Sequence, residues 1–164
     1  MPVMRARELI SRPKILMKAG DWKTGKMTRN AFPMSRTRNF QLGVRWTWRV
    51  DLLEIDGNEC RLLTAFEPSK NGFLAWLSYR RGDSYTMVAR LEFHGSEPGL
   101  HCHSTCDDLR SVQVGVVKPY PSVRLPNARA KHRRDQFSMM TEASALSTSF
   151  GFFRVTMTPS GAMI

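Results

Sequence analysis

Hydrophobic and polar positions alternate most clearly over residues 44–50. Val44, Trp46, Trp48 and Val50 take every second place, with Arg45, Thr47 and Arg49 between them. That two-residue period predicts a half-buried β-strand with both Trp on the buried side. Asp56-Gly57 follows with hairpin chemistry, and "CRLLTAF" predicts a second strand closed by the "EPSKNG" turn. "FLAWLSYR" and "SYTMVARLEFH" predict the clearest hairpin, turned at Arg81-Gly82-Asp83. Pairing Tyr79 with Tyr85 sets Leu77 against Met87, Ala75 against Ala89 and Phe73 against Leu91, which gives one apolar face. The same register sends Ser84, Thr86, Arg90, Glu92 and His94 to the other face.

Further along, "SVQVGVVKPYPSVRLP" predicts a short strand and a Pro-bounded loop. A helix is expected to start near Asn127 or Asp135 and to end after Phe150, at Gly151. "FFRVTM" predicts a last strand. Residues 1–38 carry no sustained apolar stripe, and Pro2, Pro13 and Pro33 punctuate them. The expected fold is therefore α+β. A twisted antiparallel meander of about five strands carries a C-terminal helix packed on one face. A basic, flexible N-terminal arm (1–38) precedes a single domain (39–164).

Composition narrows the class. A chain of 164 residues can bury one core, and 41% hydrophobic residues exclude wholesale disorder. No apolar run reaches the ~20 residues of a membrane span, and the first residues lack the apolar centre of a secretory signal. Cys60, Cys102 and Cys106 are odd in number, which argues against a disulfide framework. A reducing compartment, the cytoplasm, is the expected location.

Charge adds a candidate partner. The formal net charge is +11, and +8 of it lies in residues 1–40. A basic segment on a nearly balanced body is the footprint of a polyanion binder, nucleic acid first, with RNA favoured over DNA. The candidate contacts are Arg5, Arg7, Arg12, Lys14, Arg36 and Arg38, joined by Arg129, Lys131, Arg133 and Arg134 near His132. A solvated basic surface without a partner is the plainer reading. Arg45 and Arg49 would extend a basic surface only if their face is the one that carries the chemistry.

The candidate chemistry sits in "RLEFHGSEPGLHCHSTC", residues 90–106, which holds three of the four His. A hairpin loop at Ser96–Gly99 would set His94 opposite His101 and Glu92 opposite His103. Arg90, Glu92, His94, His101 and His103 would then share one patch, while Cys102 faces the core. Three readings follow. In the preferred one a small ribonuclease-like phosphodiesterase works without a cofactor. Glu92 or His94 acts as base, His101 or His103 as acid, and Arg90 clamps phosphate. In the second, His94, His101 and His103 bind zinc, iron or another divalent metal in an enzyme acting on a small molecule, or form a structural or empty metal site in a non-catalytic polyanion-binding module. In the third, the face is merely polar. No membrane partner is expected.

Overall fold

The computed structural model describes residues 4–32, 40–94, 99–105, 108–109, 122–125 and 141–157. Among them, nine strands form one mostly antiparallel sheet: β1 (Lys14–Lys18), β2 (Lys23–Thr24), β3 (Thr47–Ile55), β4 (Asn58–Glu67), β5 (Gly72–Arg81), β6 (Ser84–Phe93), β7 (His101–Thr105), β8 (Ser122–Leu125) and β9 (Val155–Met157). Two helices accompany it, α1 (Ala6–Ser11) and α2 (Glu142–Phe153). Strands β3 to β8 pair in chain order, the expected meander. β1 continues the sheet beyond β3, β9 lies parallel to β1, and β2 pairs with β3. The α+β class stands, but the count of about five strands was too low.

The turns follow local chemistry. Asp56 and Gly57 both take positive φ (50° and 74°), the pair of conformations a two-residue hairpin needs. Asn71, at φ 50°, ends the single 3-10 turn Pro68–Lys70 between β4 and β5. α2 begins at Thr141, whose side chain accepts from the Ser144 N–H, and ends at Arg154 in the left-handed region. Gly151 lies inside the helix and does not terminate it. The expected helical start at residues 127–135 lies outside the described residues.

Both sheet faces are covered. On the first, Leu62, Phe66, Phe73, Ala75, Leu77, Ala89, Leu91 and Cys102 pack against Ala6 and Leu9 of α1 and Ala145 and Phe153 of α2. The helix face also holds a buried Thr64–Ser149 hydroxyl contact at 2.6 Å. On the second face, Met27, Phe32 and Leu42 cover Trp48, Leu63, Ala65, Leu74, Trp76 and Met87. Each buried Leu, Met or Phe among them contributes about 1.5–3 kcal/mol on burial.

Residues 4–32 thus depart from the flexible arm expected of them. They supply a helix, two strands and part of each core layer. Lys14 is a fixed core residue. Its ammonium is fully buried and donates to the carbonyl oxygens of Ile10 (3.2 Å), Arg12 (2.9 Å) and Phe153 (2.7 Å). It thereby satisfies C-terminal carbonyls of both helices. Burial lowers its pKa to about 8.

The β5–β6 hairpin turns where expected, but its register differs. Tyr79 pairs with Thr86 and Arg80 with Tyr85, and a bulge at Leu77/Ser78 shifts the rest so that Ala75 meets Leu91 and Phe73 meets Phe93. The extra residue at the bulge moves Met87 into the second core layer, beside Leu74 and Trp76.

Candidate metal and acid-base site

Register across the sheet builds the site on the second face. Trp48, Ala65, Leu74, Glu92 and His101 pair in succession and form one row. Val50, Leu63, Trp76, Arg90 and His103 form the next. The pairing of β6 with β7 sets Glu92 opposite His101 and Arg90 opposite His103, two residues from the expected alignment. An even shift leaves each side chain paired across β6 and β7 on its predicted face. Arg90, Glu92, His94, His101 and His103 therefore share a face as expected, with altered neighbours. The expected loop at Ser96–Gly99 lies outside the described residues except for Gly99.

The imidazoles form a contiguous line. The ring centroids of His94 and His101 are 5.0 Å apart, as are those of His101 and His103, both edge to face. His101 is fully buried, whereas His94 is 37% exposed. Gly99, at φ 71°, adopts a backbone that favours glycine, and its carbonyl oxygen lies 3.0 Å from His101 Nδ1. A carbonyl only accepts, so Nδ1 carries the proton, and Nε2 is the basic nitrogen of the neutral ring.

Glu92 is held from two sides. Its Oε1 accepts from Trp76 Nε1 at 2.9 Å and forms an ion pair with Arg90 Nη1 at 3.2 Å. Its Oε2 lies 3.8 Å from His94 Nε2. One donor atom from each of Glu92, His94 and His101 falls within 4.8 Å of the other two. The compact set is thus two His and one carboxylate, in place of the expected three His.

Arg90 does not stand free as a phosphate clamp. Its side chain is 14% exposed, pairs with Glu92, and lies 5.5 Å over the Trp76 ring. β8 sets the backbone of Arg124 opposite His103, at the end of the Arg90 row. Cys102 faces the helix-side core, as predicted, and burial raises its thiol to about 12. Arg49 points away from the site, into an ion pair with buried Asp51 at 2.7 Å.

The site opens into a cleft of about 390 Å3 lined by Trp46, Leu74, Phe93, Glu92 and His94, with Lys70 and buried Glu67 at its side. Sequence reasoning missed Trp76 and this cleft. The signal was present, because placing Phe73, Ala75 and Leu77 on one face leaves Leu74 and Trp76 beside Glu92.

Of the candidate nucleic-acid contacts, Arg5 and Arg7 are exposed on or beside α1, and Arg12 pairs with Asp56 at 2.6 Å. Lys14 is withdrawn from solvent, because its ammonium caps the helix ends. Arg36, Arg38, Arg129, Lys131, Arg133 and Arg134 lie outside the described residues. Among the described residues, no helix is long and apolar enough to cross a membrane.

Known proteins add no analogy. No family model, curated protein or solved structure matches the chain.

Proposed function

We propose that Glu92, His94 and His101 form a divalent-metal site, with zinc the first metal to test, and that the protein uses it as a Lewis-acid centre. The observation that carries this reading is the convergence of three donor atoms within 4.8 Å. Two His and a carboxylate form a recurring catalytic set, which keeps a position open for water or substrate. In a tetrahedral zinc site, bond lengths of ~2.0–2.1 Å set ligand atoms about 3.4 Å apart. Small side-chain rotations, with no change of strand register, would close the remaining gap.

The surroundings support the assignment. The Gly99 carbonyl orients His101, and Trp76 and Arg90 orient Glu92, as outer partners do around metal ligands. The full burial of His101 suits a ligand better than an acid that must reach a phosphodiester. With Glu92 and His94 on the cleft wall, the open coordination position would face substrate. There the metal would polarise a carbonyl or activate water.

RNA remains a second candidate substrate, favoured by the net charge of +11. Zinc titration of untagged protein by calorimetry tests the metal reading, with one equivalent expected and heats at the dilution level opposing it. RNA incubated with zinc-loaded and chelator-treated protein separates the substrate classes. Cleavage only when loaded would make RNA the substrate of this site. Cleavage in chelator would restore the metal-free reading.

A further inference from the structure

We infer that the cleft beside the metal site receives the apolar body of a small organic anion, whose oxygen end meets the metal. This rests on the metal reading above and adds the chemical class of the ligand. Continuing the strand registers by one residue at each end gives a third row on the second face: Trp46, Glu67, Gly72 and His94. Gly72 has no side chain to fill its place in that row, between Glu67 and His94. The Trp46 ring leans over the gap, and a Cβ on Gly72 would lie 3.2 Å from its edge. The result is a slot with an indole wall, a Leu74 floor and a far wall of Glu92 and His94.

Its chemistry is two-sided. Trp46, Phe93 and Leu74 offer apolar surface, and the Trp46 indole suits a flat ring. A divalent cation held by one carboxylate and two neutral imidazoles would keep a net positive charge. Exposed Lys70 adds another on the same cleft, while Glu67 is buried and accepts from the Ser69 hydroxyl at 2.9 Å. An occupant with an oxyanion at one end and a compact apolar body at the other matches both halves.

Two hydroxamates test this on the zinc-loaded full chain: benzohydroxamate, with a ring, and acetohydroxamate, with a methyl. Both present the same chelating group, so the change in their affinity ratio on substitution reports the slot. We expect benzohydroxamate to bind about tenfold tighter, which burial of roughly 55 Å2 more apolar surface supplies. Gly72→Val, whose Cβ would press on the Trp46 ring and narrow the slot, should bring the ratio close to one while zinc affinity stays within about threefold. If that variant does not fold by circular dichroism, Trp46→Leu serves instead and should lower the same ratio. Equal affinities in the native protein, or a ratio that survives the substitution in a folded variant, would overturn the slot and leave the metal site standing. Failure to bind zinc at all would overturn both.

Discussion

Replacing Trp76 with Phe separates packing from metal positioning at one residue. Trp76 is 5% exposed, its ring lies 4.0 Å from that of Phe40, and its indole N–H donates to Glu92 at 2.9 Å. Phe keeps most of the ring contact and removes the donor. A hydrogen bond to a carboxylate contributes about 1.5–3 kcal/mol. Outer partners of metal ligands change affinity by about 10–100-fold, which is roughly 1.4–2.7 kcal/mol, the same range. Losing part of a buried ring should cost the fold about 1–2 kcal/mol separately. Zinc competition against a chromophoric chelator reads the first effect, and urea unfolding of the metal-free protein reads the second. We expect zinc affinity to fall at least about tenfold with the fold intact. Destabilisation with zinc affinity unchanged would refute the argument, since the bond would then serve packing alone.

Three other outcomes follow from the same geometry. His94→Ala and Glu92→Ala should each lower zinc affinity by more than about 100-fold, whereas His103→Ala should change it by about threefold or less; a large loss in His103→Ala would reinstate the three-His set. Gly20→Ala would place a Cβ 2.1 Å from the Val50 carbonyl oxygen, so the urea midpoint should report a loss of about 3 kcal/mol or more; an unchanged midpoint would show that the segment between β1 and β2 does not approach β3 so closely. Lys14→Met leaves three carbonyl oxygens without their donor and should cost about 1–3 kcal/mol.

Lys14 also predicts a pH signature. With its folded pKa near 8 against an ordinary 10.5, the unfolded chain binds more protons between those values, and stability rises with pH there. Burial raises Cys60 and Cys102 from 9 to about 12, so the folded chain holds those protons longer and stability falls above pH 9. Unfolding free energy should therefore rise between pH 8 and 9 and fall beyond it. Lys14→Met should show the fall without the rise. A variant profile that keeps the rise would mean that another group titrates in that window.

The sheet and its His-bearing face were legible because side chains alternate along a strand and turns carry Gly, Asn and Asp at fixed places. That parity survives a register error of two residues, which is why Glu92, His94 and His101 were grouped despite the wrong pairing across β6 and β7. The bulge at Leu77/Ser78 left no such mark. Only packing against the second core layer accounts for Met87 leaving its predicted face. β1 and β2 were missed because short strands at the sheet's margin bury few residues. "KILMK" shows one buried position in five, and that one is Lys14, a residue type read from sequence as surface charge. The exchange of His103 for Glu92 in the ligand set depended on the cross-strand register, which the loop sequence did not fix.

The central claim concerns which atoms meet at one point, and X-ray absorption at the zinc edge of loaded, untagged protein reads that directly. The account predicts a low-coordinate shell of nitrogen and oxygen at about 2.0–2.2 Å with the outer scattering of two imidazoles. A sulfur shell at about 2.3 Å, or a zinc spectrum indistinguishable from the hydrated ion, would contradict it.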